Sequence, residues 1–156
     1  MKERTVKETA RTVIQQCSSA KVKIRPALDG GDAQWAEVGV QSVIISSIVS
    51  HLRFETLSGT VDTRCRCSNL PGSVLLVPQD SLLAEPPVRR RIRFRGGCEL
   101  WRAAQLLSGL ASACRELMAA SNKCTEAGVK VEQGVYGQKQ EMVLKAEEPL
   151  TLLLDF

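Results

Sequence analysis

Leu70-Pro71-Gly72-Ser73-Val74-Leu75-Leu76-Val77-Pro78-Gln79-Asp80-Ser81-Leu82 is the stretch on which the reading of the whole chain turns. Val74 to Val77 is apolar at every position, so it lacks the alternation of a strand with one wet face. A short run of this kind, entered through Pro-Gly and closed by Pro78, predicts a strand covered on both sides at the centre of a sheet. A strand buried on both faces can offer chemistry only at its ends. Gln79 and the residues after it are therefore where a site is expected.

Upstream of that strand, Val22 and Ile24 alternate with Lys21, Lys23 and Arg25, which predicts a strand ended by Pro26. Thr12 to Cys17 reads as its hairpin partner, turning at Ser18-Ser19. Asp29-Gly30-Gly31-Asp32 is a turn leading to a short strand from Gln34 to Val38, with Trp35 facing opposite to Gln34 and Ala36. Ile45, Ile48, Val49 and Leu52 fall at helical spacing and predict a short helix over Ser42 to Ser50. Downstream, Pro86-Pro87 and the arginines after them read as a loop. Leu100, Ala103, Leu107, Leu110, Cys114 and Leu117 step by three and four, predicting a long helix with an apolar stripe. Val129 to Val135, Met142 to Lys145 and Leu150 to Leu154 read as strands, with a turn at Ala146-Glu147-Glu148. No repeat or linker divides residues 1 to 156, so the expectation is one α/β domain dominated by antiparallel strands.

The chain has 156 residues, 44% hydrophobic and 24% charged, a globular composition that argues against disorder and fibrous repeats. Its longest apolar run, Val43 to Val49, is broken by Ser46-Ser47 and falls far short of the roughly 20 residues a membrane crossing needs. Charge continues through Met1 to Glu8, where a secretory signal would turn apolar, so a cytoplasmic location is expected. Cys17, Cys65, Cys67, Cys98, Cys114 and Cys124 lack the paired spacings of a zinc site. They are expected to be free thiols, and no metal is predicted; Cys65-x-Cys67 is the one close pair.

The formal charge of +4 is local, because Arg89, Arg90, Arg91, Arg93 and Arg95 lie within seven positions. Without them the remainder would be slightly acidic. A cluster of this kind is a footprint for nucleic-acid phosphates, each of which releases counterions when neutralised; a solvated loop is the other reading. The single histidine, His51, has no spaced nucleophile or acid around it. A glycine-rich phosphate loop and a Gly-x-Ser-x-Gly elbow are both absent, so no cofactor is predicted and acid–base work by side chains is poorly supported.

Three separated segments resemble the D-aminoacyl-tRNA deacylase family, and its animal-type branch most closely. They are Ala10 to Val38, with Gln15-Gln16-Cys17, Ala20 to Pro26 and Gln34 to Val38; Leu70 to Leu82; and Ser121 to Phe156, with Gly134-Val135-Tyr136-Gly137 and Glu148-Pro149-Leu150-Thr151. The resemblance implies a mostly antiparallel, barrel-like sheet with two helices, and a homodimer. It implies a pocket at Gln79, Ser81 and Leu82 beside Pro78, into which the partner subunit inserts Glu148, Pro149 and Thr151. It also implies aminoacyl-tRNA as substrate, with an ester hydrolysed by backbone groups and the RNA's own 2′-hydroxyl. The family has Gly-Pro where this chain has Glu148-Pro149, and threonine where it has Ser81. Only Gly39 to Ser42 follow the Trp35 strand where the family carries a further strand, so an unpaired sheet edge is expected there. A catalytically inert RNA-binding homologue is the alternative reading.

Overall fold

The computed structural model describes residues 10–39, 42–49, 72–79, 82, 84–94, 100–136, 141–147 and 151–155. In chain order the strands are β1 (Ala10–Cys17), β2 (Ser19–Arg25), β3 (Gln34–Val38), β4 (Ser42–Val49), β5 (Val74–Pro78), β6 (Ala84–Val88) and β7 (Arg91–Phe94). Two helices follow, α1 (Leu100–Ala119) and α2 (Asn122–Ala127), and then β8 (Val131–Gln133), β9 (Met142–Lys145) and β10 (Thr151–Asp155). The fold is α/β, as the sequence predicts, and most of its strand pairs are antiparallel.

β5 lies inside a five-stranded sheet of order β10-β1-β4-β5-β8 and runs parallel to both of its neighbours. Its alternate residues feed two separate cores. Val74 and Leu76 pack with Ile14, Val131 and the buried side of α1. Leu75 and Val77 pack with Ala20, Val22, Ala36 and Val38 of a second sheet, of order β3-β2-β9. The uninterrupted apolar run is thus the physical signature of a middle layer between a helix and a sheet.

Three expectations are corrected. The helix expected over Ser42 to Ser50 is not formed by its described part: Ser42–Val49 is strand β4, paired antiparallel with β1 and parallel with β5. Five of its eight residues are β-branched and apolar, without strict alternation, and so short an apolar run matches helical spacing by coincidence. β1 and β2 are not a hairpin. Only Ser18 lies between them, too short for the usual two-residue hairpin loop, and the chain turns a corner from one sheet into the other. The corner is pinned because the Ser18 N–H and hydroxyl both donate to the Lys145 carbonyl oxygen, each at 2.9 Å. The arginine segment is not a loop either: β6 and β7 form a hairpin ribbon. Pro86-Pro87 are tolerated because the register shifts between Glu85 and Val88, where a ladder N–H is not required.

α1 buries Ala103, Leu107, Leu110, Ala111, Cys114 and Met118. Leu100 is exposed instead, so the apolar stripe begins one turn later than its spacing suggests. The Arg115 guanidinium donates to the Val131 carbonyl oxygen at 3.1 Å and ties α1 to β8. Among the described residues, β3 has β2 as its one ladder partner, and no helix is long and apolar enough to cross a membrane.

Candidate functional site

The site is built on the C-terminal end of β5. Pro78 ends the strand opposite Ser47, and the chain folds back so that the Leu82 N–H donates to the Gln79 carbonyl oxygen at 3.3 Å. Pro78, Gln79 and Leu82 are brought together in this turn, all half-buried. On the other side of β5 the Gly134 N–H donates to the Leu76 carbonyl oxygen at 2.8 Å, which carries β8 past its last strand residue to Tyr136. Tyr136 is half-buried against the helix-side core. The carboxyl ends of neighbouring parallel strands thus open at one place, the usual position of a ligand site in open α/β sheets.

Gln133 belongs to this end and was not singled out by sequence reasoning. It stands beside Leu76 in register, and its Oε1 is buried without a hydrogen-bond partner among the described residues. A carboxamide in a sequence such as Val131-Glu132-Gln133-Gly134 carries no signal of its own. Only the burial reveals it, since an unpaired buried carbonyl oxygen costs about 1–3 kcal/mol.

Thr151 is not near Gln79 within one chain. It faces Gln15 on β1, whose Nε2 donates to the Thr151 Oγ1 at 3.3 Å, and Gln15 is level with Ile44 on β4 and Leu75 on β5. Three strand spacings put Thr151 roughly 14 Å to the side of β5, with Gln79 roughly 13 Å further along it. Ser81, Glu148 and Pro149 lie outside the described residues, as do Arg95, His51 and the pair Cys65 and Cys67.

Arg89 and Arg90 form the two-residue turn of the β6-β7 hairpin, at φ 54° and 65°. Both sit in the left-handed region that such turns normally give to Asn or Gly. Together with Arg91 they are exposed at the tip. Arg93 lies on β7 opposite Glu85.

Two groups have displaced titrations. Burial in the core pushes the Cys17 thiol up from its ordinary value. Hydrogen bonding and charge from Lys23 hold the Glu141 carboxyl below its ordinary value. Cys17, Cys114 and Cys124 are buried and form no disulfide among the described residues. A cavity of about 420 Å³ is lined by Arg115, Met118, Cys124, Thr125 and Lys130, among others. It opens at the N-terminal end of β8, the far end of the sheet from Gln79, and is not part of this site.

Residues 13–155 match the family model described as D-Tyr-tRNA(Tyr) deacylase. The chain is 31% identical over 160 residues to D-aminoacyl-tRNA deacylase 2 of Gallus gallus, and likewise to that of Homo sapiens, in each case over 94% of this chain and 95% of the relative. The Danio rerio protein of the same name is 28% identical, over 94% of this chain and 99% of its own length. In fold, the chain is similar to a probable eukaryotic D-amino acid tRNA deacylase, with TM-score 0.72 and 15% identity, over 95% of this chain and 100% of the other. It is also similar to the c-Myc DNA unwinding element binding protein, with TM-score 0.62 and 13% identity, over 92% and 97%.

Proposed function

The chain belongs to the D-Tyr-tRNA(Tyr) deacylase family, and from that membership we propose that it hydrolyses the ester bond of mischarged aminoacyl-tRNA, as a proofreading enzyme of translation. The observation that carries this reading is the turn at Gln79, which follows directly on the end of the buried strand β5 and is closed by the Leu82 N–H. An aminoacyl ester is already activated. Water adds to its carbonyl carbon, the 3′-oxygen of the RNA leaves and takes up a proton, and free amino acid and tRNA result. In this reading, backbone N–H groups at the pocket that the turn does not use stabilise the developing oxyanion, a contribution of about 3 kcal/mol each, and the RNA 2′-hydroxyl assists the proton transfer. Gln79, Ser81 and Leu82 line the pocket, with Pro78 at its wall.

Thr151 lies three strands to the side of β5 within one chain, which supports a reading in which the segment carrying Glu148, Pro149 and Thr151 enters the pocket of a second copy, and a homodimer is proposed as the acting species. Buried cysteines with no disulfide among the described residues fit a reducing compartment, and the cytoplasm is proposed as its location. The direct test incubates the purified protein with D-tyrosyl-tRNA, glycyl-tRNA and L-alanyl-tRNA of the threonine acceptor type. Ester loss above buffer is expected for at least one of them, and the reading fails if none is hydrolysed.

Gln133 offers a check on the pocket. Leu in its place removes a polar atom that has no partner among the described residues, so the fold is expected to be as stable or slightly more so. If that oxygen meets the substrate, kcat/KM falls about tenfold. Unchanged turnover in the leucine variant would return Gln133 to a purely structural part.

A second reading, an inert RNA-binding homologue, draws on the hairpin tip, where two arginines occupy strained backbone positions at full exposure. Strain of this kind is commonly retained where it serves binding. Replacing Arg89-Arg90 by Asn-Gly is expected to stabilise the fold by about 1 kcal/mol, since Gly and Asn enter left-handed conformations with little strain. The same change weakens tRNA binding at 50 mM salt and flattens its salt dependence by close to two phosphates' worth. Filter binding across a salt series measures both effects, and salt-sensitive binding without hydrolysis favours the inert reading.

A further inference from the structure

We propose that the outer face of the β3-β2-β9 sheet is a second RNA contact surface, at which Lys21, Lys23, Arg25 and Lys145 hold the phosphate backbone of the tRNA body. It rests on the reading that the substrate is a charged tRNA. The inner face of this sheet buries Ala20, Val22, Ala36 and Val38, so strand alternation turns Lys21, Lys23, Trp35 and Glu37 outward. Lys21 Nζ lies 4.5 Å and Lys23 Nζ 5.0 Å from the centroid of the Trp35 ring. One indole therefore holds two ammonium groups that would otherwise repel each other, because its negative π-face faces positive charge.

That arrangement matters for binding. The two lysines stand two residues apart on one strand, roughly 6.6 Å along it. Their side chains are already ordered by the ring, so less rotamer freedom is lost when an anion arrives. Arg25 ends β2, exposed, beyond the register shift that follows Lys23, and Lys145 stands opposite Ser19 on β9. Within the described strands of this sheet and the residue just before β9, the acids on the same face are Glu37, opposite Lys21, and Glu141, paired with Lys23. Four bases against two acids leave the face positive, and a row of cations along one strand suits a linear polyanion. The two carboxylates act as built-in counterions, which a phosphate chain would have to displace.

The opposing carboxylate makes the test sharp, because two variants are expected to move in opposite directions. Filter binding of uncharged tRNA to the full chain is measured from 50 to 300 mM salt for wild type, K21Q/K23Q and E141Q. In K21Q/K23Q the slope of log Kobs against log salt is expected to shallow by about 1.5 to 2, the loss of two phosphate contacts. In E141Q, Lys23 is released and binding is expected to tighten severalfold. Where hydrolysis is detected, K21Q/K23Q lowers kcat/KM on full tRNA about tenfold and leaves a short 3′-aminoacylated oligonucleotide unaffected. An unchanged slope in K21Q/K23Q at wild-type melting temperature overturns the proposal, and so does unchanged or weaker binding in E141Q; the second variant decides should the first fail to fold. Failure of the deacylase reading shows separately, as absent hydrolysis in wild type.

Discussion

Gln79→Ala is expected to lower kcat/KM on mischarged aminoacyl-tRNA by about 100-fold while leaving the melting temperature within about 2 °C of wild type. The magnitude follows from the position. Gln79 follows the last residue of a buried strand, at the place where three carboxyl-terminal strand ends meet, and it opens the turn closed by the Leu82 N–H. Alanine keeps the backbone N–H, so what is lost is the carboxamide that holds the ester against the backbone donors, and a misplacement of about 1 Å costs about 10²-fold. Its structural contribution is small by comparison, because its backbone carbonyl, which alanine keeps, accepts the turn-closing bond. Steady-state kinetics and thermal melting on the same preparation separate the two. An equal fall in both would reassign Gln79 to the fold.

The largest effect on stability is expected at β5. Leu75 and Leu76 are both 0% exposed, yet they face opposite ways, Leu75 into the core between the sheets and Leu76 into the core beneath α1. Alanine at either position should cost about 3 kcal/mol, within the 2–5 kcal/mol range for leucine truncation in close-packed interiors. For a chain of this size that is a drop of roughly 6–12 °C in melting temperature. Because the two side chains serve different cores, the losses should come close to adding in the double variant. Chemical denaturation of both single variants and the double variant measures this. A loss below about 1 kcal/mol at either leucine would mean that β5 is not the wall between two cores.

What could be read directly was whatever local pattern alone dictates. The apolar run at Val74 identifies a buried strand because a strand covered on both faces has no polar face to show. The long helix is visible because α1 leaves one face wet and covers the other. β4 was misread for a physical reason: held between β1 and β5, it is apolar at five of its eight positions without strict alternation, and such a short apolar run fits helical spacing as well as a strand. The Ser18 corner was hidden because pairing is decided by partners far along the chain, here Lys145 on β9. The arginine ribbon was hidden because Arg-Arg is a poor hairpin signal; its turn adopts positive φ against the preference of both residues. At the candidate site, Gln79 and Leu82 were named from the family resemblance and lie in the turn after β5, whereas Gln133 stands out only by the burial of one oxygen.

The pairing of β1 with β10 joins positions 136 residues apart, as in the contact between Gln15 and Thr151. Such a distant closure is slow, since chain entropy is lost before the contacts that offset it can form. During synthesis the β1 edge must therefore wait uncovered until the distant strand leaves the ribosome, and over that interval it is open to pairing with the wrong chain. The antiparallel adjacency also sets Arg11 beside Asp155, so a short linker there could fuse the two ends. A circular permutant reopened at the Arg89-Arg90 turn would then place β1 and β10 next to each other in sequence, and should fold faster than the natural order of strands.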